Sequence, residues 1–288
     1  MPIGELTRRS FLKLTSAAPI LTSIGEVAQT GARPAIPVGL GLYSLRDEEQ
    51  KDRMATLQAV ADMGYTGVEF WGPYAEWTAQ YAKDVRARLD SLGLRCFSTH
   101  TRRQYFAAES FPHVIELNQI LGSGYVVLAH SEKVDGLDGW KQLAGMLTHA
   151  HEQLRALGLR AAFHNYPSDF RSLENDGPRP IDLLSANTPK DFAFQLDTVM
   201  MSVGADPVAF VRANPGRVKS YHLKDWSPGE GGGRVLLGEG IGRWKALFDA
   251  AESVGGVEYY LIEQEGSRFT PMDTAKRCLE NFRALRVS

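Results

Sequence analysis

Four short apolar runs each end on a side chain able to bind a metal or move a proton. They are LRAAFHNY around His164, FAFQLDTV around Asp197, VKSYHLKD around His222 and YYLIEQE around Glu263. Runs of this length and apolarity read as strands, in which alternate side chains share a face. His164 then lies with Ala162, Asp197 with Gln195, His222 with Ser220 and Lys224, and Glu263 with Leu261 and Glu265. Two imidazoles and two carboxylates converging in this way make a donor set for one divalent ion: Mn²⁺, Zn²⁺, Co²⁺, Fe²⁺ or Mg²⁺. Such an ion polarises a carbonyl and an adjacent hydroxyl and eases loss of the proton beside it. Taken singly, each residue could be an ordinary hydrogen-bonded loop side chain. Four of them at equivalent positions of four successive strands is harder to explain so, and a glutamate reached through the apolar YYLI is costly to bury without a cation.

The elements that must carry these residues alternate regularly. From Val38 onward eight strand-like and eight helix-like segments follow one another, with strands expected at 38–45, 67–71, 94–100, 125–130, 159–166, 192–199, 218–225 and 259–265. Gly64, Gly93 and Gly158 mark the ends of the helices that precede strands two, three and five. Eight such units in about 250 residues predict a single (β/α)₈ barrel, in which sites occupy the ends where strands give way to helices. An open doubly wound sheet would carry a glycine-rich phosphate turn after its first strand, and GLGLYSL is followed by Arg46-Asp47 instead.

Other strand ends supply further candidates. Glu69, His100 and His130 fall at the ends of strands two, three and four, and Lys224 stands beside the metal set. Lys224, His100 and His130 are candidate acid–base groups, and Glu69 a substrate contact; each also has a plain alternative as an ion-pair partner or a satisfied polar plug. Tyr43, Trp71, Trp226 and Phe106 are candidates for an apolar wall beside a sugar ring, although aromatics are equally ordinary core. The stretch 167–180 reads as a long surface loop, and the glycine-rich stretch 229–242 as a mobile rim rather than a nucleotide cradle.

LYSLRDE, GYTGVEFWG, FHN, LDTVMMSVGADPVAFV, PGRVKSYHLKDW, LGEG and YYLIEQE together resemble the sugar phosphate isomerase/epimerase family, also called xylose isomerase-like barrels. The likeness spans nearly all of 38–285. It implies a metal-dependent enzyme acting on a small sugar or keto-sugar, with Asp197, His222 and Glu263 as ligands and Glu263 also as base. Ketose epimerases of this kind use a carboxylate on each side of the substrate, whereas His164 stands at the matching fourth position here. Proton exchange between opposite faces needs two groups of suitable basicity, and a metal-bound imidazole nitrogen has no free lone pair. Isomerisation or epimerisation is the leading expectation; a 3-keto-glycoside lyase or hydratase, or an inosose-dehydratase-like enzyme, is the alternative. A non-catalytic sugar-binding protein is a further possibility, distinguished by indifference of binding to loss of Glu263.

Composition bounds the partners. With 288 residues, 43% hydrophobic and 23% charged, the chain has material for one large core. A net charge of −2 and the absence of a long basic run argue against nucleic acid, including the abasic-site endonucleases that share this barrel. Cys96 and Cys278 fall in different layers, so no disulfide is expected. Thr7-Arg8-Arg9-Ser10-Phe11-Leu12-Lys13 matches the twin-arginine export pattern, followed by an apolar stretch from Leu14 to Ile24 too short to span a bilayer comfortably. The expected organisation is therefore an export signal and linker over 1–35 and a barrel over 36–288, with a periplasmic or exported mature protein and no stable membrane insertion.

Overall fold

The computed structural model describes residues 35–129, 133–174, 177–229 and 231–287. The export motif and His130 lie outside the described residues. Eight parallel strands pair in sequence order and close on themselves. They are β1 (Val38–Gly41), β2 (Gly67–Phe70), β3 (Arg95–Thr101), β4 (Tyr125–Leu128), β5 (Arg160–His164), β6 (Ala193–Asp197), β7 (Val218–Leu223) and β8 (Tyr259–Ile262). Closure runs through β1 and β8, with Val38 opposite Tyr260 and Leu40 opposite Ile262. Around the outside run α1 (Arg46–Lys51), α2 (Arg53–Met63), α3 (Ala79–Ser91), α4 (Phe111–Leu121), α5 (Gly136–Arg155), α6 (Pro180–Asn187), α7 (Pro207–Ala213), α8 (Trp244–Ala250) and α9 (Pro271–Leu285). Among the described residues no helix is long and apolar enough to cross a membrane.

Several strands end earlier than their apolar runs. LYSL after β1 and TVMMSV after β6 turn into 3₁₀ helices, Leu42–Leu45 and Thr198–Val203. The switch at β6 has a visible cause: Asp197 caps the turn, its side chain accepting the Val199 N–H at 2.9 Å. The helix expected as one piece from Asp47 to Met63 is two, because Asp52 adopts an extended backbone and caps α2 through the Ala55 N–H at 3.0 Å. The stretch 167–180 is not wholly irregular either, since Pro167–Phe170 forms a 3₁₀ turn.

The core has two parts. The larger lies between the barrel and its helices, and a smaller one plugs the barrel floor with Phe97, Tyr125, Val127, Ala162, Ala193, Tyr259 and Leu261. Phe97 stacks on Tyr259 with ring centroids 4.9 Å apart. Glycines make room for these inward groups. A Cβ on Gly67 would lie 2.6 Å from the Phe97 ring, and one on Gly41 would lie 2.8 Å from a Glu263 carboxylate oxygen. The register shifts between Val68 and Glu69 and again between Phe194 and Gln195, so both polar residues follow irregularities of the kind that re-aim side chains. Cys96 and Cys278 are both free and buried.

Candidate metal centre and active site

Above the apolar floor the barrel interior turns polar. Glu69 from β2, Ser98 and His100 from β3, His164 from β5, Gln195 and Asp197 from β6, His222 from β7, and Glu263 just beyond β8 are all buried. One Glu69 oxygen accepts from Ser98 Oγ at 2.5 Å and from Gln195 Nε2 at 2.6 Å. The other meets His222 Nε2 at 2.6 Å and His100 Nε2 at 2.9 Å. His222 Nδ1 faces Glu263 at 2.8 Å, so both its nitrogens point at carboxylates and donate. Burial opposes that charge, but Glu263 and Glu69 outweigh it and push the imidazole up to about 10.

The upper layer centres on Lys224. Its ammonium lies 3.0 Å from Asp197 Oδ2, 2.7 Å from Glu263 Oε2 and 2.5 Å from Glu265 Oε1. Burial works against the charged amine, yet these three carboxylates hold it well above its ordinary range. Burial likewise opposes ionised Glu263, but His222 and Lys224 keep it well below the usual carboxylate range. Asp197 is raised, because burial there exceeds what Lys224 and His222 return. His164, crowded by burial and by His222 and His100, is held well below its ordinary value and is neutral.

The strand ends are tied in place. Asn165 clamps β5 to β6, accepting the Asp197 N–H at 2.9 Å and donating to the Asp197 carbonyl at 3.2 Å. Thr198 Oγ1 bonds the His222 and Lys224 carbonyls at 3.0 and 2.6 Å and so fixes β7 to β6. Asp225, next to Lys224 and fully buried, gathers five donors: the N–H groups of Trp226, Gly238, Gly240 and Gly242 and the Trp244 indole, all at 2.9–3.1 Å. The second half of the glycine-rich stretch is thereby anchored to the barrel.

Among the described residues, two trios of donor atoms lie within 4.8 Å of one another: His100, His164 and His222, and Glu69, His222 and Glu263. The donor chemistry fits a divalent ion. A positive group already lies between Asp197 and Glu263, in the form of the Lys224 ammonium. Carboxylates are concentrated here: Glu69 and Glu263 flank His222, and Asp197, Glu263 and Glu265 surround the Lys224 ammonium.

A sequence profile described as xylose isomerase-like TIM barrel matches residues 57–285. The chain belongs to that family. No curated protein matches it by sequence. Among solved structures, a sugar phosphate isomerase/epimerase from Parabacteroides distasonis ATCC 8503 is similar with a TM-score of 0.74 at 23% identity, covering 88% of this chain and 96% of that one. The probable 3-DHS dehydratase AsbF of Bacillus anthracis, involved in petrobactin synthesis, gives 0.68 at 16% identity, with 86% and 98% covered. The IolI protein, solved with a binding zinc atom, gives 0.67 at 14% identity, with 86% and 97% covered.

In this xylose isomerase-like barrel the residues expected from sequence are not all brought to one point. His222 belongs to both donor trios, His164 to one and Glu263 to the other, and Asp197 joins neither. It reaches Glu263 only across Lys224, and its Oδ2 stands 3.5 Å from His164 Nε2. His100 is brought in as well. Glu69 does not meet the substrate contact expected of it: it is 1% exposed, and both its oxygens are taken by protein donors. The aromatic wall is also redistributed. Tyr43 and Trp71 pack edge to face at 5.3 Å, with the Trp71 indole donating to Glu49 at 2.8 Å. Phe106 stacks on Phe111, and the Trp226 backbone helps hold the glycine-rich stretch.

A cavity of about 410 Å³ opens over Lys224 and Asp197, walled by Tyr166, Val199, Arg234, Gln264 and Glu265. A second, of about 290 Å³, shares Arg234 and Glu265 and extends toward Ser44, Arg46 and Ser267. Tyr166 and Gln264 had no signal in the sequence beyond lying near strand ends, and Arg234 none beyond lying in the glycine-rich stretch. Gln195 did have one: it shares Asp197's face, but an amide is not a ligand type that draws notice.

Proposed function

We propose that this protein is a divalent-metal-dependent isomerase or epimerase of a sugar or keto-sugar, acting by removal of a proton beside a carbonyl. The observation that carries the reading is the buried cluster of ionised Glu263, protonated Lys224 and the imidazoles of His164 and His222, of which Lys224, together with Asp197, lines an open cavity. His164, Asp197, Glu263 and, once it gives up a ring proton, His222 would hold the ion, which when bound supplies Lewis-acid polarisation of the substrate carbonyl. Glu263, kept ionised by its cationic neighbours, is the group that accepts the proton. Lys224, 2.7 Å from it, returns a proton or hydrogen-bonds the developing oxyanion. The buried barrel wall excludes water from these groups. The fold is shared with a protein described as a sugar phosphate isomerase/epimerase, which agrees with this assignment.

A lyase or hydratase acting beside a keto group is the second reading, and two observations favour it. Glu263 is paired with Lys224, and the fourth position of the donor set carries neutral His164 in place of a second carboxylate, which suits one base and one acid better than a symmetric exchange. The adjoining cavity beyond Glu265 also leaves space for a second ring or a leaving group. Metal-loaded protein offered free and glycosidic keto-sugars separates the two, because isomerisation conserves mass and elimination releases an aglycone. Glu263→Gln is expected to lower turnover and solvent deuterium uptake by roughly 100- to 10,000-fold. Absence of both exchange and product across the panel with the parent protein rules the proposal out. The Arg8-Arg9 pattern leads us to propose action outside the cytoplasm, to be tested by whether changing both arginines to lysine keeps the protein out of the periplasmic fraction.

A further inference from the structure

Gln195 lies between three of the groups just described and does not line the open cavity. It is completely buried at the register shift of β6, one residue below Leu196 and on the face of Asp197. Its amide orientation is decided by its neighbours. Nε2 is 2.6 Å from Glu69 Oε2, and a carboxylate only accepts, so the NH₂ end belongs there; the reverse orientation would press two oxygens together at that distance. The carbonyl Oε1 therefore faces His100 Nε2 at 2.6 Å and His164 Nδ1 at 2.9 Å, and both nitrogens donate to it. With Nδ1 donating to the Gln195 carbonyl, Nε2 is the ring nitrogen left to offer a lone pair. That is the nitrogen 3.5 Å from Asp197 Oδ2.

We infer that Gln195 is a positioning residue that locks His164 in the Nδ1–H tautomer, presenting Nε2 as the imidazole ligand on the Asp197 side of the centre. The lock needs no ion to be present, because every partner is protein. The packed rings reinforce it: His164 lies with its centroid 4.7 Å from those of both His100 and His222 and 5.3 Å from Tyr166, leaving no free rotation. The same amide ties His164 to Glu69 and so to His222, whose Nε2 shares that carboxylate. Hydrogen bonds behind a metal ligand orient it and raise its basicity, and their removal typically costs 10- to 100-fold in affinity.

The inference rests on reading the barrel mouth as a metal centre, and two measurements keep the two claims apart. Long-range ¹H–¹⁵N correlation on metal-free, ¹⁵N-labelled protein reports the tautomer directly; His164 is expected to show a protonated, pyrrole-type Nδ1 and a bare, pyridine-type Nε2. Titration with Zn²⁺ and Mn²⁺ by calorimetry then compares the parent with Gln195→Met, which keeps the length and removes the amide. The variant is expected to lose the single tautomer and to bind each ion roughly 10- to 100-fold more weakly. An Nε2–H tautomer in the metal-free parent overturns the inference even if Gln195→Met fails to fold. So does a folded variant that keeps the parent's tautomer and binds within twofold of it. A parent with the expected tautomer that binds neither ion leaves the lock standing and removes the metal reading instead.

Discussion

At the scale of single residues, Glu69 shows how an inward carboxylate can differ from its expected role. The sequence placed it at the end of strand two as a substrate contact, and it does face inward. What the sequence could not show is depth: four donors from β3, β6 and β7 close around it before it reaches the cavity. Glu69→Gln keeps the shape but removes the charge that His222 relies on, and turns an amide N–H toward donors that need an acceptor. Breaking one partner of a buried ion pair in this way is expected to cost about 3–5 kcal/mol in urea unfolding of the metal-free protein at neutral pH. A loss below about 1 kcal/mol would mean that the carboxylate and His222 are not charged together. Glu263, His222 and His164 were legible because each ends an apolar run with a donor. Gln195 and Tyr166 were not, because their importance lies in which neighbours they meet, and that depends on strands far apart in the chain.

At the scale of elements, the strands were readable but their ends were not. Apolar runs such as FAFQLDTV continue past the last ladder hydrogen bond, and only a local cap, Asp197 onto Val199, converts the remainder into a turn. The glycine-rich stretch was expected to be a mobile rim because glycines favour freedom; its second half is instead organised by one buried carboxylate. A Cβ on Gly240 would meet Asp225 Oδ1 at 2.3 Å, so glycine there serves close approach. Asp225→Asn replaces one acceptor oxygen with a donor among five N–H groups, and bonds to a charged acceptor contribute about 1.5–3 kcal/mol each before non-additivity. Hydrogen exchange is expected to rise across 226–244 while β1–β8 stay protected; a uniform loss across the barrel would show the carboxylate serving the fold as a whole. The 3₁₀ turn after β5 makes a pH-dependent prediction. Asp169 accepts the Tyr166 N–H at 2.8 Å, and burial pushes its carboxyl up to about 6 from 3.8. Its folded form therefore holds a proton that the unfolded chain has already released, so its contribution to stability is full below about pH 4 and lost as pH rises through about 6. The interval corresponds to about 3 kcal/mol at most. Asp169→Asn should flatten the difference in Tm between pH 4 and 6 relative to the parent, and parallel Tm curves would refute it.

At the scale of the whole molecule, the barrel itself was the most legible feature, since eight repeats of strand and helix with sequential parallel pairing leave few topologies open. Closure has a consequence that no single segment carries. It brings carboxylates from β2, β6 and the end of β8 into one low-dielectric mouth, where Lys224 and His222 lie against them. Mutual repulsion among such charges weakens the fold unless a further cation is supplied, and a cation that binds only the folded state stabilises by mass action. At a hundredfold excess over its Kd, a divalent ion is expected to add about 2.7 kcal/mol, or roughly 5–10 °C in Tm for a domain of this size. Differential scanning fluorimetry with Mn²⁺, Zn²⁺, Co²⁺, Fe²⁺ and Mg²⁺ in turn, followed by EDTA, measures this directly. The rise should reverse on chelation and vanish in a Glu263→Gln, His222→Asn double variant. If no ion shifts Tm in the parent, the Lys224 ammonium is the cation that balances these carboxylates and the metal reading fails.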